Sequence, residues 1–207
     1  MITIPPPMMP PDVLRVPFTD PEWLYEIKGD GYRCMAGIDR GEVALRTKSG
    51  KDCTPWYPEV AQELAKLPSG PHVIDGEACV IGPDGVSDFN KMQERARHRR
   101  WYPGAPQVTL CTFDLLVLDG QSVMGLPLVE RKALLQRLLS KVDKSRVMFV
   151  GDLPADFKLF HAMRLAGLKI EGVVAKRRAS TYKPGVRSDD WLKIKFSGWQ
   201  DGRVWRS

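Results

Sequence analysis

The chain has 207 residues, a net charge of +6 and an apolar fraction of 43%, long enough to bury a real core and ordinary in composition for a globular domain. No apolar stretch approaches a membrane span, and the start Met1-Ile2-Thr3-Ile4-Pro5-Pro6-Pro7 lacks the basic and apolar regions of a secretory signal, so cytoplasmic residence is expected. Cys34, Cys53, Cys79 and Cys111 are scattered through strand-like apolar settings, which points to reduced, buried thiols; His72, His98 and His161 form no recognisable ligand set.

Residues 1–13, with Pro5 to Pro11, are too rich in proline for regular structure and read as an extended lead-in. Trp23-Leu24-Tyr25-Glu26-Ile27 alternates large apolar and polar side chains as a strand does, and it carries Lys28 at its end. Asp30-Gly31 is a hairpin signal, and Tyr32 to Ile38 reads as the return strand that would set Arg33 beside Lys28. Helices are expected over Pro58 to Leu67, over Pro127 to Leu139 with proline in its first turn, and over Pro154 to Ala166 closed by Gly167. His72-Val73-Ile74 reads as a strand ending at Asp75-Gly76-Glu77, and Phe113 closes the apolar run from Val108. Lys193 and Lys195 alternate with Leu192, Ile194 and Phe196, the pattern of a half-buried strand. Strands and helices are mixed without regular βαβ alternation, which argues for an α+β domain.

A lysine at a strand end, followed by a tight turn and an arginine, suits an amine that attacks phosphorus. An ordinary hairpin with solvated charges fits that segment as well. The sharpest concentration of positive charge is Arg95, Arg97, Arg99 and Arg100, followed by Trp101-Tyr102. Such a run would grip nucleic-acid phosphates without reading sequence while an aromatic packs on sugar or base, or it is a solvated helix end after the turn at Ser87 to Asn90.

Six such segments, in this order, resemble the nucleotidyltransferase domain of ATP-dependent DNA ligases, and especially the ligase domain of bacterial end-joining ligases. The resemblance covers roughly residues 14–197. It implies an ATP-grasp-like fold of two antiparallel sheets with helices outside and the nucleotide between. It also implies that Lys28 is adenylated, that Glu26 lies near the adenine, and that Arg33 contacts the nucleotide sugar and phosphate. Thr47-Lys48-Ser49-Gly50 is similar to the family's Ser-Arg-Asn-Gly stretch, Lys48 exchanging a planar fork for a point charge. By the same resemblance Glu77 reaches the ribose or a metal, Phe113 stacks on the purine, Glu171 serves the divalent metal, Lys176 and Arg187 belong to the nucleotide-binding set, and Lys193 and Lys195 meet the α-phosphate. Gly29 departs from the pattern, standing where an aromatic residue is frequent. The sequence also carries no OB-fold after Lys195, so residues 198–207 are expected to be a tail where that fold would begin.

The implied cofactors are ATP and Mg2+ or Mn2+, and the implied chemistry is attack of Lys28 on the α-phosphate, then transfer of AMP to a DNA 5′-phosphate for strand joining. Lys193, Lys195, Arg33 and the cation would oppose protonation of Lys28 and stabilise the transition state. The expected partners are nicked or broken duplex DNA and a protein supplying an OB-fold or DNA-end binding; the chain is expected to be monomeric. An RNA ligase or a capping-type guanylyltransferase shares the lysine element. A non-catalytic DNA-end or nucleotide-binding module is a third reading, against which retention of Lys28, Glu171, Lys193 and Lys195 argues.

Overall fold

The computed structural model describes residues 2–14 and 16–198. Two sheets face each other. The first, in spatial order, consists of β1 (Asp12–Leu14), β11 (Trp191–Lys195), β10 (Gly172–Arg177), β2 (Trp23–Ile27) and β9 (Leu153–Pro154). The second consists of β4 (Glu42–Thr47), β3 (Tyr32–Asp39), β5 (His72–Cys79), β6 (Thr109–Leu118) and β7 (Gln121–Ser122), with β8 (Val147–Phe149) pairing in parallel to β6. All other pairings are antiparallel except β1 with β11. Helices α1 (Pro58–Leu64), α2 (Phe89–Arg97), α3 (Leu128–Leu138) and α4 (Phe157–Leu165) complete the expected α+β arrangement, and the described residues contain no OB-fold barrel. Residues 199–207, most of the expected tail, lie outside the described residues.

Strand periodicity assigns the faces. In the first sheet Trp23, Tyr25, Val173, Ala175 and Ile194 pack under Phe160 and Met163 of α4. Their alternates Glu26, Lys176, Trp191, Lys193 and Lys195 therefore share the opposite face, registered as Val174 opposite both Glu26 and Lys193. In the second sheet Cys34, Ala36, Ile38, Ile74 and Leu115 pack with Val60 and Leu64 of α1 and Leu135 of α3. The alternates Arg33, Met35, Asp75 and Glu77 face the first sheet, with Arg33 opposite Glu77 and Met35 opposite Asp75. A third apolar cluster, Met8, Met35, Val73, Leu116, Tyr182 and Trp191, joins the two sheets.

The Asp30-Gly31 hairpin expected from sequence does not form. β2 and β3 belong to different sheets, and residues 28–31 carry the chain from one to the other. The crossing is pinned by the Lys28 N–H donating to Gly172 O at 3.0 Å and the Asp30 N–H donating to Ser87 Oγ at 3.0 Å. Gly31 lies so close to β5 that a Cβ there would stand 2.0 Å from Ala78 O.

The helix boundaries also differ from the sequence expectation. α1 ends at Leu64, residues 65–67 forming a turn. Pro154 pairs with Leu24 as part of β9, and α4 begins only after Asp156, whose carboxylate accepts from Leu159 N–H. Gly167, with φ +68°, does close it. α2, present in the sequence only as the helix-end reading of the arginine run, is capped by Asp88 accepting from Lys91 N–H. Residues 2–11 of the lead-in carry no regular structure, but Asp12 and Val13, placed in it from the sequence, pair with β11 as part of β1, and the segment lies against the cleft with Met8 buried.

Gly31→Ala is expected to lower stability by about 3 kcal/mol or more, because backbone rather than a flexible side chain must yield. Gly151→Ala, where a Cβ meets nothing within 4 Å, is the matched control, and thermal melting of the two variants checks the contrast.

Candidate active site

A cleft of about 940 Å³ opens between the sheets, lined by seven basic residues, Lys28, Arg33, Lys48, Arg97, Arg99, Lys176 and Lys193, and by two acidic ones, Glu26 and Glu77. One end is aromatic. There Phe113 and Trp191 meet edge to face at 6.1 Å between centroids, with Arg33 4.7 Å and Lys176 4.4 Å from the Phe113 ring.

Three charge clusters organise the walls. Lys28 Nζ donates to Glu171 Oε2 at 2.7 Å, and Lys195 Nζ reaches Glu171 Oε1 at 2.9 Å, so one carboxylate serves two ammonium groups. The Arg33 guanidinium forks onto both oxygens of buried Asp75 at 2.6 and 2.5 Å. Asp75 Oδ2 also accepts from the Tyr182 hydroxyl at 2.6 Å, and that hydroxyl accepts from the Met8 N–H at 3.0 Å. Buried Glu26 is held between Lys132 and Lys176, each ammonium 2.6 Å from one carboxylate oxygen. Lys132 also donates to Val150 O at 2.8 Å.

These surroundings set the protonation states. Burial raises the Glu77 carboxyl to about 7, against the pull of Lys28 and Arg33. Burial alone would raise Glu171 too, but Lys28 and Lys195 outweigh it and hold that carboxyl below its usual range. Lys193 is pushed below the usual lysine range by burial and then by Lys28 and Lys195, with Lys48 adding to the effect. Lys176 is also lowered by burial, Glu26 opposing.

Residues 14–195 match the family model described as the ATP dependent DNA ligase domain. The chain belongs to this family. It is 37% identical over 195 residues to the multifunctional non-homologous end joining protein LigD of Mycobacterium bovis, covering 90% of this chain and 24% of that protein. Among solved structures, this ligase domain is similar to the ligase domain of M. tuberculosis LigD (36% identity, TM-score 0.75, 92% of this chain and 59% of that one) and to a mycobacterial DNA ligase D complexed with ATP and MES (35% identity, TM-score 0.72, 91% and 60%). It thus spans about a quarter of the length of the curated LigD relatives.

Of the residues singled out from sequence, the fold of the ligase domain brings Glu26, Lys28, Arg33, Lys48, Glu77, Phe113, Lys176 and Lys193 to the cleft, with Glu171 and Lys195 attached through Lys28. Arg187 is not among the cleft-lining residues; it is 43% exposed and ion-paired with Asp12 of β1. Arg95 is not a surface grip for nucleic acid. Its side chain is fully buried, 3.3 Å from the Glu59 carboxylate, donating to Arg100 O at 2.8 Å and 5.6 Å from the Tyr57 ring centroid. Its three neighbours Arg97, Arg99 and Arg100 are exposed, and Arg97 and Arg99 line the cleft. Sequence reasoning missed Met8, Trp56 and Tyr57 as cleft residues and assigned no role to Lys132. Lys132 lies on α3, 106 residues from the Glu26 it meets, and like Met8 it carries no local signal.

Glu77 binds its proton more tightly folded than unfolded, so folding stability falls as pH rises from about 4.5 to about 7 and stays lower above. Glu77→Gln removes that penalty. Its melting temperature is expected to exceed that of the wild type by several degrees more at pH 8 than at pH 4, as followed by calorimetry. Glu26→Gln leaves buried Lys176 without a carboxylate partner, Lys132 keeping Asp152 at 3.1 Å, and is expected to cost about 3 kcal/mol, a fall of about 10 °C in melting temperature.

Proposed function

We propose that this ligase domain performs nucleotidyl transfer from ATP, with Lys28 as the nucleophile, and that the AMP it takes up is passed to a DNA 5′-phosphate for strand joining in end-joining repair. The observation that carries this reading is the position of Lys28 Nζ, in a cleft with an aromatic end for a base, lysines beside the nucleophile and Glu171 at 2.7 Å. The ATP complex of the mycobacterial relative supports the choice of nucleotide.

In the reaction the Lys28 nitrogen forms a bond to the α-phosphorus and the bond to the bridging oxygen of the β-phosphate breaks, releasing pyrophosphate. The amine must first lose its proton. Its nitrogen donates to Glu171 at 2.7 Å, a contact the substrate must displace, and Lys193, Lys195 and Arg33 are the cations around it. The same three cations stabilise charge building on the phosphoryl oxygens. Arg33, its Nε and Nη2 held by Asp75, has Nη1 left to turn toward the sugar and phosphate, and Phe113 with Trp191 receives the purine. Lys176, 2.6 Å from the Glu26 carboxylate, holds that side chain in place at that end, where the adenine edge would sit. Arg187, tied to Asp12, is left out of this arrangement.

Among the described residues no three His, Cys, Asp or Glu side chains come together as a metal cage. Two carboxylates at the nucleophile, Glu77 and Glu171, do fit Mg2+ or Mn2+ of the kind that takes its remaining ligands from substrate phosphates and water. A cation bound there would neutralise triphosphate charge. Duplex DNA is the proposed acceptor, with the exposed side chains of Arg100 and Trp101 offering phosphate and stacking contacts outside the cleft.

Intact mass after incubation with ATP and Mg2+ tests the reading. The wild type is expected to gain one AMP and to lose it to a nicked 5′-phosphorylated duplex. Lys28→Ala is expected to gain none, and GTP to substitute poorly. An adduct on Lys28→Ala would remove the nucleophile from the scheme.

A further inference from the structure

The cations of the cleft fall into two kinds. Deep in the cleft Lys28 is matched to Glu171, Arg33 to Asp75 and Lys176 to Glu26, and Lys193, close to Lys28 and Lys195, is the inner cation that makes no ion pair among the described residues. Lys48, Arg97 and Arg99 line the same cleft and make no ion pair or side-chain hydrogen bond with any described residue. Unpaired surface cations are common and usually only solvated. These three differ because they converge on one cleft from separate elements, Lys48 from the loop after β4 and the arginines from the end of α2 and the turn beyond it.

That turn is held in place from inside. The buried Arg95 guanidinium donates to Arg100 O at 2.8 Å and lies 3.3 Å from Glu59, anchoring the backbone on both sides of Arg97 and Arg99. Arg99 itself adopts φ +51°, a left-handed conformation that costs a non-glycine residue about 1 kcal/mol and persists where neighbours impose it. A buried arginine thus fixes the presentation of two exposed ones.

The placement matches the geometry of displacement at phosphorus. Lys28 extends from the first sheet, whereas Lys48 and α2 belong to the side of the second. An in-line attack expels its leaving group on the face opposite the nucleophile. With the purine at the aromatic end and the α-phosphate between Lys28 and Lys193, the next two phosphates run toward the unmatched cations. Resting on the adenylation reading above, we propose that Lys48, Arg97 and Arg99 form a subsite for the β- and γ-phosphates of the bound nucleoside triphosphate and orient the pyrophosphate leaving group against Lys28.

The phosphate such a subsite holds could instead be that of DNA, and the test separates the two. Equilibrium binding of ATP and AMP is measured on Lys28→Ala, which needs no chemistry, with and without Arg97→Ala and Arg99→Ala. Loss of a charge-assisted phosphate contact is expected to weaken ATP about tenfold or more per arginine while AMP binding is unchanged, and Arg97→Lys to restore part of the loss. In a Lys28-competent background the double variant is expected to raise the pyrophosphate concentration needed to reverse adenylation, while sealing of a nick already carrying a 5′-adenylate is untouched. Unchanged ATP binding with loss of that sealing would assign the arginines to DNA and overturn the proposal, as would an equal loss for ATP and AMP. A preference for ATP over AMP that depends on these arginines, in a wild type that forms no adduct, would leave the subsite standing and remove the adenylation reading instead.

Discussion

The close approach of Gly31 to the β5 backbone is the constraint on which the site depends. Because no side chain intervenes there, four residues suffice to take the chain from one sheet to the other, and Lys28 just beyond β2 is joined by a short segment to Arg33 at the start of β3. Two sheets that meet only through packed side chains could slide relative to each other by fractions of an ångström. Here Lys28 N–H on Gly172 O and Asp30 N–H on Ser87 Oγ tie both banks to the same short segment. The spacing of Lys28 and Arg33 across the cleft is therefore held by a short covalent link and these two hydrogen bonds.

Electrostatics does the rest, by a division between interior and mouth. Burying an unpaired charge is far more costly than burying a pair, and the deep charges of this domain, Glu26, Asp75, Asp114, Arg95, Arg131 and Lys176, are matched by partners within ion-pair distance. Arg131, for example, forks onto Asp114 at 2.7 and 2.8 Å while donating to Ser180 O. These pairs hold α2, α3 and the segment around Ser180 against the sheets. The surplus of positive charge is displaced to where water or a polyanion can meet it.

Much of this was legible in the sequence. Period-2 alternation in Trp23–Ile27 and Trp191–Lys195 identified strands whose polar alternates face one way, and that alone collects Glu26, Lys28, Lys193 and Lys195 on one surface. What was not legible depends on partners far away in the chain. Asp-Gly signals a tight reversal whether the next strand pairs with the last or crosses to another sheet, so local pattern could not separate a hairpin from the crossing observed. Arg95 was grouped with its neighbours because four arginines within six positions look alike in sequence; only Glu59, 36 residues away, takes one of them inside. The same holds for Met8, whose N–H meets a hydroxyl 174 residues distant. Pro154 failed as a helix start because pairing with Leu24 outweighed the weak preference of proline for a first turn.

The single carboxylate shared by Lys28 and Lys195 has a consequence for the idle protein. Lys28 Nζ is turned onto Glu171 at 2.7 Å and Lys195 holds the other oxygen of that carboxylate at 2.9 Å, so the nitrogen is engaged before any occupant enters the cleft. Only an occupant able to draw Glu171 away unmasks the nitrogen. On the adenylation reading, the group that must react is thus tied to one glutamate and a second lysine until a substrate arrives to compete for them.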